Sequence, residues 1–205
     1  MGGRKLEKIK QNPFVKKVGF NRIVLCCVLL LMYGLFCALT GGNFAGMNRI
    51  MSALNYAYFL GFLSLGVTFV IATGQIDFSI GPVMFCCALI SGYTLTTHGI
   101  PMPLAILISI LVGFAFGLFN GYLVAYWSVP SFITSMASMN IAKGLASVYT
   151  KTQSVSWPQA ADPDNGWFRN LVTYNGFPVG LVILLVVAVV CAIILNKTRV
   201  GRYIL

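Results

Sequence analysis

Charged side chains are scarce in this sequence. They make up 9% of its 205 residues, whereas 58% of the residues are hydrophobic and the mean hydropathy is +0.86. Soluble domains carry about 25% charged residues, so an ordinary soluble globular domain is excluded. Intrinsic disorder is excluded for the opposite reason, because so much apolar surface has to be buried. The composition therefore favours a membrane protein.

Acidic residues are the rarest of the charged ones, with four Asp and Glu against fourteen Lys and Arg. No Glu lies in an apolar run, and the one histidine, His98, falls in a predicted loop. Proton-coupled carriers use intramembrane carboxylates or histidines, and only Asp77 is available for that role. The Gly-x-x-x-x-Gly-Lys-Ser/Thr phosphate loop is absent, as are metal-ligand clusters. We therefore expect a non-enzyme without a cofactor or metal.

The basic residues cluster at the two ends of the chain. This position argues against a nucleic-acid partner, although the net charge of +10 would otherwise suggest one. Basic segments beside apolar spans mark the cytoplasmic side of a membrane. These end residues are Arg4, Lys5, Lys8, Lys10, Lys16, Lys17 and Arg22, and then Lys197, Arg199 and Arg202. Both termini are therefore predicted to be cytoplasmic.

Apolar runs long enough to cross a bilayer as helices recur along the chain. A span needs about 20 residues, and the runs are too long and too apolar for barrel strands. Six are predicted, at 22–40, 50–73, 78–97, 102–127, 131–150 and 177–195. The predicted fold is thus all-α, a polytopic helical membrane protein with about six transmembrane helices.

The domain organisation follows from these spans. We expect a basic cytoplasmic tail at 1–22 and a transmembrane domain at 23–205, with an extracytoplasmic loop at 151–176. The first span is too long for a signal-peptide core, which favours a retained helix over a cleaved leader. Trp157 and Trp167 in the loop are expected to lie at the bilayer surface. The six cysteines all lie in apolar runs, where they are expected to pack rather than to form disulfides.

Asp77 is the most informative single residue, because it lies between two apolar runs. An ionised Asp in mid-bilayer costs roughly 2.5–3.5 kcal/mol. One interpretation is a helix N-cap, in which the carboxylate accepts backbone N–H groups. The other is a helix break at depth that lines a cavity and exposes a helix N-terminus to solute. The two interpretations are compatible, and the sequence does not choose between them.

The fifth predicted span is unusually polar. Ser131, Ser135, Ser138 and Ala142 are spaced by four, three and four residues, which places them on one helical face. That face is either a packing surface of small residues or a surface lining a solute pathway. Lys143 in the same span either reaches the membrane interface with its amine or lines the same pathway.

Glycines recur at every fourth position in the fourth span. Gly113, Gly117 and Gly121 form a Gly-x-x-x-Gly-x-x-x-Gly series, which predicts close packing against another helix. Asn120 adds a polar group on the neighbouring face.

Several segments, taken together and in order, resemble one family. The stretch Thr73-Gly74-Gln75-Ile76-Asp77-Phe78-Ser79-Ile80-Gly81 is similar to a Gly-Gly-Ile-Asp-Leu-Ser-Val-Gly signature, with Gln75, Phe78 and Ile80 as departures. Asn120-Gly121, the helix from Val129 through Lys143, and Thr198-Arg199-Val200-Gly201-Arg202-Tyr203 resemble further family segments. The family is the permease subunits of bacterial ABC importers, in the ribose and simple-sugar branch related to branched-chain amino-acid permeases.

The resemblance implies a membrane component that forms part of a solute pathway in the bacterial cytoplasmic (inner) membrane. Its implied partners are an ABC ATPase, an extracytoplasmic sugar-binding protein and a second permease subunit, and no nucleic acid. The implied pathway or signature positions are Asp77, Ser79, Gly81, Asn120, Gly121 and Lys143, to which the polar face adds Ser131 and Ser135. Thr198, Gly201 and Arg202 are implied to lead into the segment that couples to the ATPase.

Family members continue past the Gly-Arg-Tyr stretch, whereas this sequence stops at Leu205. We therefore expect a C-terminally truncated sequence or partial gene product that does not transport by itself. Two other functions stay open from the residues alone: a small ATP-independent secondary carrier and a non-transporting membrane scaffold.

Overall fold

Long helices dominate the computed structural model, which describes residues 20–174 and 177–204. The six long helices lie within three residues of the six predicted spans at every end. The helices are α1 (Phe20–Leu39), α2 (Met47–Ala72), α3 (Ile80–His98), α4 (Met102–Trp127), α5 (Ser131–Tyr149), α6 (Trp167–Asn170), α7 (Val179–Lys197) and α8 (Arg199–Ile204). The protein is a polytopic helical membrane protein.

Four of these helices, α2, α3, α4 and α7, are both long and apolar enough to cross a membrane. Helix α1 contains a shorter apolar stretch, Val24–Leu39, and α5 carries the polar face expected from the sequence. Large apolar side chains are exposed along α1, α4 and α7, including Leu30, Phe114 and Leu185. Such surfaces are suited to lipid rather than to water.

The chain divides into two compact units, Met1–Ser52 and Ala53–Leu205. In the described part of the first unit, Tyr33 and Phe36 each pack on Phe44, with ring centroids 5.6 Å apart in both pairs. The Thr40 hydroxyl accepts the Phe44 N–H at 3.1 Å and so closes the turn that follows α1. The predicted basic tail at 1–22 lies almost wholly outside the described residues, and the cytoplasmic placement of the termini stays a prediction.

The second unit is built on helices α3, α4 and α5, which pack against one another pairwise. Their shared core contains Cys86 and Ile90 from α3, Phe116 from α4, and Ala142 and Ala146 from α5. Alanine and cysteine are small, and they let the three helices approach closely. All six cysteines are free thiols; Cys86 and Cys87 are buried, as expected of packing residues, whereas Cys26 and Cys27 are exposed.

A second apolar cluster lies at the C-terminal end of α3. Leu95 from α3 and Met102 and Ala105 from α4 are buried there, and Trp157 and Phe168 from the following loop pack against them. Trp157 is half-buried because its indole packs on helices, and its placement at the bilayer surface stays a prediction. Trp167, by contrast, is 44% exposed.

Candidate functional site

The break between α2 and α3 is a structured turn. Helix α2 ends in a Schellman motif, in which the Gly74 N–H bonds to the Ile71 carbonyl (2.9 Å) and the Gln75 N–H to the Val70 carbonyl (3.2 Å). Gly74 has a φ of +72°, a conformation that glycine adopts without steric cost. The break predicted near this glycine therefore has a definite backbone cause.

The irregular backbone after Gly74 is bonded to another helix. The Ile76 N–H donates to the Ser131 hydroxyl at 3.2 Å, so the first residue of α5 holds the extended segment. Non-helical backbone persists at membrane depth only where protein groups or a cavity satisfy it. Ser131 supplies such a group.

Asp77 binds the start of α3 through its side chain. Its Oδ1 accepts both the Ser79 N–H and the Ser79 hydroxyl, each at 2.6 Å. Ser79 occupies the position just before Ile80, and its own carbonyl accepts the Val83 N–H at 2.8 Å. The N-cap residue of α3 is Ser79, so Asp77 is not itself the N-cap; its carboxylate bonds the backbone N–H of the N-cap residue instead. It is also half-buried, beside the cavities described below.

The bonds continue from Ser79 across two further helices. The Asn120 amide nitrogen on α4 donates to the Ser79 hydroxyl at 3.1 Å. The Asn120 carbonyl oxygen in turn accepts the Ser138 hydroxyl of α5. We call this set, Asp77, Ser79, Asn120 and Ser138, the polar chain. Each bond in the polar chain pairs one donor with one acceptor: Ser138 donates to Asn120, Asn120 donates to Ser79, and Ser79 donates to the Asp77 carboxylate.

Two cavities border the polar chain. The bundle cavity, about 490 Å³, is lined by Asp77, Ser79, Gly113, Gly117 and Asn120 among others. The inner cavity, about 420 Å³, shares Asp77, Gly117 and Asn120 and adds residues from the end of α2, such as Thr73 and Gln75. The side chains of Asp77 and Asn120 therefore stand where the two cavities meet.

The structure does not bring every sequence-predicted site residue to these cavities. Gly81 is exposed in the first turn of α3, and Lys143 is exposed on α5. Ser135 is buried, but its hydroxyl donates to the Phe132 carbonyl of its own helix at 3.1 Å. None of these three lines the bundle cavity or the inner cavity.

The buried face of α5 differs slightly from the predicted one. Ser135, Ser138 and Ala142 are buried as a group, and Thr134 and Ala146 join them. The predicted face did not include Thr134. Residues 134, 138, 142 and 146 follow the i, i+4 spacing that defines one stripe of a helix, so this stripe could have been read from the sequence.

The glycine series on α4 does not mediate the expected helix contact among the described residues. A Cβ atom at Gly117 or Gly121 would meet nothing within 4 Å, and at Gly113 it would meet only the Cys87 sulfur, at 3.5 Å. The reason is that these glycines line cavities: Gly113 and Gly117 the bundle cavity, Gly117 and Gly121 the inner cavity.

A tight corner joins α7 to α8. The Thr198 hydroxyl donates to the Ile194 carbonyl at 2.7 Å and accepts the Gly201 N–H at 3.2 Å, so Thr198 ends one helix and caps the next. A Cβ at Gly201 would collide with the backbone carbonyl oxygens of Ile194 and Leu195. Glycine is therefore required for the close approach. Arg202 on α8 is exposed.

Trp157 makes contacts that the sequence analysis did not predict. It lines both the bundle cavity and a third cavity of about 570 Å³, the loop cavity, which Tyr58, Phe168 and Arg169 also line. The nearest signal in the sequence is Gly92, a glycine inside an apolar helix, which suggests close approach of another group.

Within the described residues no group of His, Cys, Asp or Glu side chains could hold a metal ion.

Comparison of the sequence with known proteins identifies its family. Residues 49–205 match the profile described as "Branched-chain amino acid transport system / permease component". A fructose import permease protein of Bifidobacterium longum is 34% identical, over 80% of this chain and 49% of the relative. A xylose transport system permease protein of Escherichia coli is 28% identical, over 81% and 42% respectively.

An autoinducer 2 import system permease protein of Photorhabdus luminescens is 26% identical, over 92% of this chain and 55% of the relative. The chain thus spans about half the length of the curated relatives that it matches. No solved structure matches it. Because the family profile covers three quarters of the residues, from 49 to 205, the chain belongs to the branched-chain amino acid transport system permease family.

Proposed function

We propose that this chain is part of the permease component of an ATP-driven sugar importer and forms part of its translocation pathway. The observation that carries the proposal is the polar chain, which connects three helices and borders two cavities inside an otherwise apolar bundle. Polar groups in a membrane bundle are costly and mark solute pathways by default.

The relatives support the class of solute. They are named for fructose, xylose and autoinducer 2 rather than for ribose, so we propose a small hydroxylated solute without choosing one sugar. Hydroxyl groups exchange hydrogen bonds with carboxylate, amide and serine side chains, and Asp77 and Asn120 offer both kinds of partner at the junction of the cavities.

The driving force is proposed to come from a separate ATPase. The proposed partners in the bacterial cytoplasmic membrane are this ATPase, an extracytoplasmic binding protein and a second permease subunit. The exposed α8, with Arg199, Arg202 and Tyr203 on its surface, is the proposed approach to the ATPase. The Thr198–Gly201 corner would hold α8 at a fixed angle to α7.

Uptake by the assembled importer tests this proposal. The complete permease that contains this chain is co-expressed with its ATPase and binding protein in cells that lack other routes for the tested sugar. Uptake of labelled fructose, xylose and ribose is then measured. We expect uptake of at least one sugar, and its loss when the ATPase cannot hydrolyse ATP. Asp77→Asn should lower this uptake, whereas Asp164→Asn in the exposed loop should not.

The same assay separates the two other functions. Uptake that follows an ion gradient and needs no ATPase would identify a secondary carrier and contradict the proposal. Failure of the permease both to take up sugar and to co-purify with an ATPase would favour a membrane scaffold. The shortage of intramembrane carboxylates argues against the carrier.

A further inference from the structure

The loop that follows α5 inserts an aromatic side chain between two cavities. Trp157 lines the bundle cavity on one side and the loop cavity on the other. Asp77 and Asn120 of the polar chain line the same bundle cavity. Trp157 is the residue that the linings of the loop cavity and the bundle cavity share.

The indole packs closely against α3 at Gly92. A Cβ atom at Gly92 would lie 2.8 Å from the Trp157 Nε1 and 2.9 Å from its Cε2. Real Cβ atoms do not approach so closely, so only glycine leaves room for the ring at this level of α3. Gly92 is itself buried, which means that the indole covers this part of the helix.

The other face of the indole is held by the loop. The rings of Trp157 and Phe168 stack with centroids 5.8 Å apart and planes 24° from parallel. The Arg169 Nε donates to the Pro158 carbonyl at 2.9 Å and so ties the residue after Trp157 to the same short helix. The position of the indole thus depends on a loop segment and on one aromatic contact, rather than on a membrane-spanning helix.

We infer that Trp157 is the gating residue between the loop cavity and the bundle cavity. This inference rests on the proposed function and adds to it the side chain that controls entry. Such a gate suits a small hydroxylated solute, because pockets of mainly apolar and aromatic lining with few polar groups bind small molecules. When Trp157 leaves Gly92, the loop cavity becomes continuous with the bundle cavity and the polar chain is reachable from the loop side.

Cys87 is a native reporter for this opening. It is one of the residues that line the bundle cavity, and it is only 8% exposed. Its neighbour Cys86 is fully buried in the core between α3, α4 and α5 and does not line that cavity. The two adjacent thiols therefore distinguish an opened cavity from a loosened helix bundle.

The test measures labelling of Cys87 in the 205-residue chain after replacement of the other five cysteines by alanine. The chain is placed in sealed membrane vesicles of either orientation, and a membrane-impermeant thiosulfonate is added outside. We expect Trp157→Ala to raise the labelling rate from the loop side about tenfold, the change in an opening equilibrium produced by loss of an aromatic contact of about 1.4 kcal/mol. Labelling from the opposite side should not change.

Matched variants show whether a rise in labelling comes from unfolding of the loop rather than from loss of the indole. Trp167→Ala removes an exposed tryptophan of the same loop and should leave the rate at the wild-type value. Trp157→Phe keeps an aromatic ring and should give a rate between those of wild type and Trp157→Ala. Gly92→Ala displaces the indole without removing it and should also raise the rate.

Two results would overturn the inference. One is an unchanged Cys87 rate in Trp157→Ala. The other is an equal rise at Cys86, measured in a chain that keeps Cys86 instead of Cys87, because that rise would mean general loosening. The assay uses neither ATP nor sugar, so its failure is distinct from failure of the uptake experiment.

Discussion

The two ends of α3 are held by different forces. At its N-terminal end, the polar chain binds α3 to α4 and α5 through side-chain hydrogen bonds from Asp77 to Ser138. At its C-terminal end, Leu95 packs with Met102, Trp157 and Phe168 in an apolar cluster. One helix thus has a hydrogen-bonded end and a packed end.

The difference follows from the membrane environment. Lipid tails are as apolar as leucine, so apolar burial alone gives little drive to helix association there, and shape and hydrogen bonds decide which helices meet. The hydrogen-bonded end has fixed partners, because each donor in it has one acceptor. The packed end relies mainly on ring stacking and on the space at Gly92, with one exposed hydrogen bond to α5, between Thr94 and Tyr149 (2.9 Å), and we expect it to open at lower cost.

Removal of Asn120 should have the largest effect, because it breaks the polar chain in two places. Asn120→Ala leaves the Ser79 hydroxyl without its donor and the Ser138 hydroxyl without its acceptor. Loss of partners for buried polar groups should lower the free energy of unfolding by about 2 kcal/mol. The measurement is the midpoint of denaturation in detergent micelles.

Asn140→Ala is the matched control for that substitution. The Asn140 amide donates only to the Met136 carbonyl of its own helix, at 2.9 Å, and it is exposed. Asn140→Ala should therefore change the free energy of unfolding by less than about 0.5 kcal/mol. Equal losses for the two asparagines would refute the view that hydrogen bonds between helices hold this end.

The packed end should respond next most strongly, to Gly92→Ala. The added methyl group would lie 2.8 Å from Trp157 Nε1 and from Val155 Cγ1, so the loop has to shift. Overpacking of this kind costs about 1–2 kcal/mol. Denaturation in micelles, followed by tryptophan fluorescence, reports both the loss and the displaced indole.

Gly144→Ala provides the comparison for Gly92, since a Cβ at Gly144 meets nothing within 4 Å. It should be neutral or slightly stabilising, because alanine favours helix over glycine by about 1 kcal/mol. A Gly92→Ala variant as stable as Gly144→Ala would show that the indole does not need the space at Gly92.

Asp77→Asn should have a smaller effect, because the amide oxygen can still accept the Ser79 N–H. A hydrogen bond to a charged acceptor contributes roughly 1 kcal/mol more than one to a neutral acceptor, and we expect a loss of that size. Asp164→Asn, at an exposed loop position, should leave the denaturation midpoint unchanged. If Asp77→Asn lowered the free energy of unfolding more than Asn120→Ala does, Asp77 rather than Asn120 would be the main stabilising member of the polar chain.

The smallest effect is expected for Lys143→Gln, at a residue outside both ends of α3. Lys143 is exposed and lines neither the bundle cavity nor the inner cavity. Surface changes of this kind usually stay within about 0.5 kcal/mol. Sugar uptake by the assembled importer should also persist in this variant; a strong loss of uptake at normal stability would restore Lys143 to the pathway.

Much of the fold could be predicted because its signals are local. The spans follow from runs of about 20 apolar residues, and the turn at Gly74 follows from a glycine between two such runs. A role of Asp77 beside the start of α3 was foreseeable for the same reason, although its carboxylate bonds Ser79, the residue before the helix, rather than the first N–H groups of the helix. Thr198, Gly201 and Arg202 were singled out only through resemblance, and the tight corner at Gly201 was not predicted.

Other features depend on residues that are far apart in the chain. Asn120 bonds Ser79, which lies 41 positions away in the chain, and no local sequence pattern at either residue predicts this hydrogen bond. The Gly113–Gly117–Gly121 series suggested helix packing, but a glycine stripe suits an open cavity equally well. Trp157 was assigned to the membrane interface from the general preference of tryptophan, and its packing on Gly92 could not be predicted because the two residues are far apart in the chain.

The sequence by itself determined the class of protein, the number and bounds of the long helices, and the place of the break before α3. It could do so because length, apolarity and turn residues act within a few positions of one another. Only the tertiary structure decided that Asp77, Ser79, Asn120 and Ser138 form one hydrogen-bonded chain and that Trp157 packs on Gly92. The physical reason is that helix rotation and depth are set by contacts between helices, and these contacts join residues that the sequence keeps apart.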